Sequence, residues 1–157
     1  IARCLSEAGK DVTLMMTDNS RYAVDVARQN AHRLIASVDW KLECADIWPS
    51  TYCHYDVITA NPPYIATDEI ATLMPEVSRF EPRSALDGGC DGLEFYLRLS
   101  REAGRHLCDD GVLIVEIGAF QEEDVVRLFV RNGAWRERDR KNDLAGHTRV
   151  LAFCKKA

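Results

Sequence analysis

An apolar hexapeptide, Tyr55-Asp56-Val57-Ile58-Thr59-Ala60, runs directly into Asn61-Pro62-Pro63-Tyr64, and this junction constrains the fold more than any other stretch of the chain. A short apolar run with β-branched residues, bounded by turn residues, reads as a buried parallel strand. Neither proline can donate to a sheet ladder, each fixes φ at about −65°, and Pro62 pushes Asn61 into extended backbone. The strand therefore stops abruptly, and Asn61 and Tyr64 stand on a stiff support at its carboxyl end. In open α/β sheets that edge is where ligands bind.

A rigid amide beside an aromatic ring suits the activation of another amide. Amide nitrogen is a poor nucleophile because its lone pair is delocalised into the carbonyl. If the Asn61 side-chain oxygen and the Pro62 carbonyl accept the two N–H hydrogens of a substrate NH2, the lone pair can turn toward an electrophile. Tyr64 would then stack on the flat group and fix its plane. The plainer alternative is a proline-rich turn that closes a strand.

Alternating elements surround this junction. Residues 1–9 have helical composition, with Gly9 placed to end the helix. Val12 to Thr17 reads as a strand buried on both sides, and Asp18-Asn19-Ser20 as the turn that caps the next helix. That helix, about Arg21 to Leu34, carries Ala23, Val26, Ala27, Asn30 and Ala31 inward. Ser37 to Cys44 is a weaker strand, and the Asn-Pro-Pro-Tyr strand is expected at the centre of the sheet. A long segment, Ile65 to Asp91, follows with one helical stretch at about Asp68 to Val77. Loops of that length inside a compact domain are usually functional. From Gly92 a helix is expected to about Cys108, then a turn at Asp109-Asp110-Gly111 and a buried strand over Val112 to Ile117. Glu122 to Asn132 is amphipathic helix. Trp135 to Asp139 and Thr148 to Phe153 can pair as an antiparallel hairpin around a loop at 142–147. Strands alternating with helices predict an α/β fold with a mostly parallel, Rossmann-like sheet and a C-terminal hairpin.

The 157 residues amount to one domain. A formal net charge of −5 argues against a large non-specific nucleic-acid surface, which would need basic patches. The six cysteines are scattered, with no Cys-x-x-Cys pair and no histidine at ligand spacing. They read as reduced thiols of a cytoplasmic protein, and no metal is expected. No apolar run approaches the roughly 18 to 20 residues of a membrane span. The chain opens Ile1-Ala2-Arg3 without methionine, as expected of a fragment, a processed product or a partial chain.

Acidic residues close two further strands. Asp18 stands where a carboxylate would accept hydrogen bonds from a ribose diol, a position that equally suits a helix N-cap. Asp46, followed by Ile47 and Trp48, would suit an adenine edge held by a polar group and covered by apolar side chains; a solvated loop is the alternative. Asp18, Asp46 and Asn61 are expected to line one edge of one sheet.

The most specific stretches are Asn61-Pro62-Pro63-Tyr64-Ile65, Met74-Pro75-Glu76-Val77, Phe80-Glu81-Pro82-Arg83 with Ala85-Leu86-Asp87-Gly88-Gly89, Asp91-Gly92-Leu93 with Phe95-Tyr96, Glu116-Ile117-Gly118, and Asp143-Leu144-Ala145-Gly146 before Arg149-Val150. On these residues the chain resembles the class I S-adenosylmethionine-dependent methyltransferases, and within them the release-factor glutamine methyltransferases. The resemblance implies S-adenosyl-L-methionine as cofactor, with Asp18 on its ribose, Asp46, Ile47 and Trp48 around its adenine, and Asn61 also among the residues that bind it. It implies catalytic roles for Asn61, Pro62 and Tyr64 on a glutamine amide. The peptide substrate would be held by Asn61, Pro62, Pro63, Tyr64, Glu81 and Pro82. The partner it implies is a bacterial class I peptide chain release factor, methylated on the glutamine of a Gly-Gly-Gln tripeptide, with neither membrane nor nucleic acid as substrate. Gly88, Gly89 and Gly92 would let their loop approach that peptide. The first strand and glycine-rich loop of the family, and its N-terminal helical domain, are expected before Ile1. Without them residues 1–157 alone are expected to hold the cofactor poorly. The competing readings are an adenine-N6 DNA or RNA methyltransferase, which also uses Asn-Pro-Pro-Tyr, and a non-catalytic fragment or partner subunit.

Overall fold

The computed structural model describes residues 1–131 and 133–156, and the chain divides into two compact units, Ile1–Tyr52 and the remainder from Cys53. The first unit contains helix α1 (Ala2–Glu7), strand β1 (Thr13–Asp18), helix α2 (Arg21–Leu34) and strand β2 (Asp39–Cys44). β1 and β2 pair in parallel, from Thr13 opposite Asp39 to Asp18 opposite Cys44. α2 starts where the Ser20 hydroxyl accepts from the Ala23 N–H at 3.3 Å, which satisfies one of the free donors of the first turn. Its buried stripe runs through Val24 and Ala31, two turns apart, and the His32 ring stands edge-on to Trp40 of β2 at 4.9 Å. Val26 and Asn30, expected inward, are exposed.

The second unit holds strand β3 (Tyr55–Ala60), helices α3 (Pro75–Ser78) and α4 (Glu94–Glu102), strand β4 (Leu107–Glu116), helix α5 (Glu122–Arg131), and strands β5 (Trp135–Asn142) and β6 (Thr148–Lys155). Its sheet runs β3-β4-β6-β5; β3 and β4 are parallel, and β6 is antiparallel to both β4 and β5. The α/β architecture with a C-terminal antiparallel hairpin is thus the one expected. Leu113, Val115 and Ile117 alternate onto one fully buried face, where Phe129 of α5 stacks on Phe153 of β6. Those two ring centroids are 4.2 Å apart, and Trp135 meets Phe129 edge-on at 5.5 Å. The Trp135 indole N–H donates to the Ser100 carbonyl at 2.7 Å, so its polar end is satisfied in the core.

Several expected boundaries move, each for a local reason. Among the described residues the strands form two sheets, so β1 and β3 have one paired neighbour each. β3 is an edge strand with Val57 48% exposed, and β1 is half-buried, not covered on both faces. The single helix expected at 68–77 becomes a 3₁₀ turn at Ile70–Thr72 and α3, because Met74 before Pro75 is extended at ψ 143°. The helix from Gly92 ends early, at a 3₁₀ turn over Ala103–Arg105 that contains Gly104, and Leu107 and Cys108 belong to β4. The expected turn at 109–111 survives as a bulge, since pairing jumps from Tyr55 opposite Leu107 to Val57 opposite Val112. Asn132, the expected end of α5, lies outside the described residues. Among those residues no helix is long and apolar enough to cross a membrane.

Phe129→Ala should lower stability by about 3–5 kcal/mol through the transfer and cavity terms. The exposed Phe120→Ala should stay within about 0.5 kcal/mol. Urea unfolding followed by far-UV circular dichroism checks both; equal effects would contradict this placement of the core.

Candidate active site

Residues 61–64 leave the sheet just after Ala60, the last residue of β3 paired with β4. Asn61 is exposed, and among the described residues neither its side chain nor the Pro62 carbonyl makes a hydrogen bond. The residues that follow are tied down. Ile65 forms an isolated bridge with Asp87, its N–H donating to the Leu86 carbonyl at 3.0 Å and its carbonyl accepting from the Gly88 N–H at 2.8 Å. Thr67 adds two bonds, from its N–H to the Gly89 carbonyl at 2.9 Å and from its hydroxyl to Asp87 at 2.6 Å. The Thr67 hydroxyl, the Gly89 N–H and Arg83 hold the Asp87 carboxyl below its ordinary value, in that order of weight. Because the folded value is lowered, this tether is intact above the ordinary carboxylate range and is lost as the pH falls through the lowered value.

The glycines serve this packing. A Cβ on Gly88 would lie 2.9 Å from the Pro63 carbonyl oxygen and from the Tyr64 Cα. Gly92, at φ +72°, would put one 2.4 Å from the Tyr64 carbonyl oxygen. Both glycines therefore let their loop pass directly against the Pro63–Tyr64 backbone. Gly89 at φ +91° faces Glu94 instead. Glu81 and Pro82 are exposed at the head of the 3₁₀ turn Arg83–Ala85, and reach residues 61–65 through the following Leu86–Gly88 segment.

Two residues that the sequence reading did not single out for the site touch Tyr64. Arg149 of β6 donates from Nη2 to the Tyr64 hydroxyl at 3.2 Å, with its guanidinium carbon 5.7 Å from the ring centroid and 3.6 Å between Nη2 and Glu116. Gln121, just before α5, donates from Nε2 to the Tyr64 carbonyl at 2.8 Å. Arg149 and Gly118 lay within quoted motifs, but contacts over 85 and 57 residues leave no local trace in a sequence. Nearby, the Tyr96 hydroxyl donates to the Glu116 carbonyl at 2.8 Å, and burial pushes its pKa up.

In the first unit Asp18 and Asp46 close neighbouring parallel strands, and the Ala45 N–H donates to the Asp18 carbonyl at 3.0 Å. Asp18 is not the cap of α2: that is Ser20, whose own N–H is accepted by Asp18 Oδ1 at 2.8 Å. The carboxylate is exposed, and its Oδ2 makes no hydrogen bond among the described residues. Ile47 is the one described non-glycine residue with positive φ, at 64°, a costly state for a β-branched side chain. It is pinned by the Thr17 hydroxyl, which donates to the Ile47 carbonyl at 2.7 Å, while the Trp48 N–H closes a tight turn onto the Asp46 carbonyl at 2.8 Å. Ile47 and Trp48 are half-buried, forming a ledge after β2. Asp18, Asp46, Ile47 and Trp48 thus belong to one unit and Asn61 through Tyr64, Glu81 and Pro82 to the other.

No family model matches the chain. The release factor glutamine methyltransferase of Agrobacterium fabrum is 39% identical over 137 residues, which are 87% of this chain and 47% of that protein. That of Caulobacter vibrioides is 43% identical over 136 residues, 85% of this chain and 46% of its own. The chain spans about half the length of the curated relatives it matches. Among solved structures, a methyltransferase from Pyrococcus furiosus aligns with a TM-score of 0.65 at 17% identity, covering 96% of this chain and 66% of that one, a likeness of fold.

Gly92→Ala should destabilise the protein by about 1–3 kcal/mol, since the added methyl overpacks against the Tyr64 carbonyl and its backbone must keep a positive φ. Gly146→Ala shares the positive φ but has open space for a Cβ, so the difference between the two in urea unfolding isolates the close approach. Equal effects would contradict it.

Proposed function

From a chain that belongs, over the span it shares with them, to the release factor glutamine methyltransferases, we propose S-adenosylmethionine-dependent methylation of a protein glutamine on its side-chain nitrogen. The substrate in this reading is the glutamine of the Gly-Gly-Gln tripeptide of a bacterial class I release factor. The observation that carries it is the contrast at 61–64: the Asn61 side-chain oxygen and the Pro62 carbonyl are unengaged among the described residues, on a turn whose Tyr64 carbonyl and hydroxyl are each held by a distant side chain.

Two acceptors on a rigid turn match the two N–H hydrogens of a primary amide. Held in this way, the substrate NH2 loses conjugation with its carbonyl as the nitrogen becomes tetrahedral, and its lone pair becomes available. Tyr64 offers a ring face against which the flat amide stacks and is kept from rotating. The new N–C bond would form as the methyl–sulfur bond breaks, leaving a secondary amide and the neutral thioether S-adenosylhomocysteine, with the amide proton passing to solvent.

S-adenosylmethionine supplies a methyl group made electrophilic by its positive sulfur. The residues of the first unit fit its adenosine portion. Asp18 keeps one unbonded carboxylate oxygen where a diol would donate, and the pinned ledge of Ile47 and Trp48 offers an apolar face beside Asp46.

In the full protein, Asn61→Ala should lower kcat for release-factor methylation by about 10²-fold, the scale of one preorganised polar group, with cofactor affinity nearly unchanged. Transfer of labelled methyl to a release factor, to the same factor with its Gly-Gly-Gln glutamine replaced by alanine, and to an adenine-containing oligonucleotide tests substrate and residue together. Label on the oligonucleotide, or on the alanine variant, would contradict the reading. Asp18→Ala should weaken S-adenosylmethionine binding by about 1.5–3 kcal/mol in calorimetric titration. Its melting temperature should change little, because Ser20 caps α2; a mutant that loses stability but binds normally would remove Asp18 from the cofactor site.

A further inference from the structure

We propose that Gln121 is a positioning residue for the Asn61–Tyr64 turn, acting on the Tyr64 backbone while Arg149 holds the Tyr64 ring. The proposal rests on reading that turn as the part that handles the substrate amide.

A glutamine side chain has one carbonyl that accepts and one NH2 that donates twice. Here Oε1 accepts from the Gly118 N–H at 3.0 Å, and Nε2 donates to the Tyr64 carbonyl at 2.8 Å and to the Gly92 carbonyl at 3.4 Å. The opposite orientation of the amide would set the NH2 against an N–H and the oxygen against two carbonyls, so the partners themselves fix which way the group points. One side chain thus joins the end of β4, the turn after β3 and the Gly92 bend.

The backbone makes room for it on two sides. A Cβ on Gly92 would lie 2.7 Å from Nε2, and a Cβ on Gly118 would lie 2.7 Å from Oε1. Contacts that close are tolerated only where there is no side chain, so both glycines are shaped to the amide between them.

The Gln121 backbone opens α5, its carbonyl accepting from the Val125 N–H at 2.9 Å, but the side-chain bonds leave the helix. The helix is anchored by Val125 and Phe129, both fully buried, and Glu122 bonds Thr148 and Arg140 of the hairpin. What Gln121 adds is restraint on Tyr64. Pro62 and Pro63 offer no N–H through which the sheet could hold the turn. With the Tyr64 carbonyl held by Gln121 and its hydroxyl by Arg149, whose guanidinium carbon also lies 5.7 Å from the ring centroid, the backbone and the ring tip of Tyr64 are both restrained. Near-attack geometry is lost with displacements of about 1 Å, so a loosened Tyr64 slows the chemical step without disturbing cofactor binding.

Gln121→Glu keeps the shape but turns an oxygen toward two carbonyls; Gln121→Leu removes the polar group altogether. Both are compared with the unmodified full protein by hydrogen exchange over residues 61–67, with 111–117 as internal reference, and by steady-state methylation. Exchange at 61–67 should quicken by about 10-fold while the reference holds, and kcat should fall by about 10- to 100-fold with cofactor affinity within about 2-fold. Arg149→Lys should likewise lower kcat, and much less so in a Tyr64→Phe background, because the two act through the same hydroxyl. Unchanged exchange at 61–67 in both Gln121 variants would overturn the proposal, as would loosening with a normal kcat. Should one variant fail to fold, the other decides. An unmodified protein that does not methylate a release factor would instead overturn the reading of the substrate, and the exchange measurement would still decide what Gln121 does.

Discussion

Two consecutive prolines remove two N–H groups at the point where β3 leaves its sheet, and the rest of the second unit is arranged around that loss. A strand exit is ordinarily steadied by the ladder it is leaving, but here the ladder has nothing to hold. The chain is restrained from outside instead. Gln121 takes the Tyr64 carbonyl, Arg149 takes its hydroxyl, Ile65 is bridged to Asp87, and Gly88 and Gly92 lie close enough that a methyl group would collide. The stiffness of Asn61 and Tyr64 is therefore shared between the prolines and four segments far away in sequence.

The same arrangement explains the long loop. A stretch from Ile65 to Asp91 with little regular structure would ordinarily carry a large entropic cost. Its ends are drawn together at once by the bonds from Ile65 and Thr67 to Leu86, Asp87, Gly88 and Gly89, and Ile70 and Leu86 are buried. What remains free is the exposed span that carries Met74, Phe80, Glu81 and Pro82.

Much of this was legible from residues alone, where the signal was local. α2 falls at Arg21–Leu34 as expected although its buried stripe is Val24 and Ala31, β3 at Tyr55–Ala60, and the C-terminal hairpin as expected. Local competition explains the misplaced helices: Pro75 breaks the one after Asp68, and Gly104 shortens the one after Glu94. Edge position was not legible, because Val57 and Ile58 look the same whether a strand has one neighbour or two. In the candidate site the turn itself was readable from Asn-Pro-Pro-Tyr. The supports were not, since a glutamine that reaches 57 residues back has no periodicity to betray it, and glycines suggest closeness without naming what comes close. Asp18 was recognised as a special position, but only the structure separates it from the Ser20 cap beside it.

The central claim is that the two free acceptors at Asn61 and Pro62 receive the NH2 of a glutamine side chain. The most direct measurement is a titration of the isotopically labelled protein, saturated with S-adenosylhomocysteine, with a Gly-Gly-Gln peptide, read by nitrogen–proton correlation spectra. The account predicts saturable shifts at the Asn61 side-chain amide and at the Tyr64 and Ile65 backbone amides, abolished when the peptide ends in Gly-Gly-Glu, whose carboxylate has no N–H to give. Shifts confined to other segments, or equal for the two peptides, would contradict it.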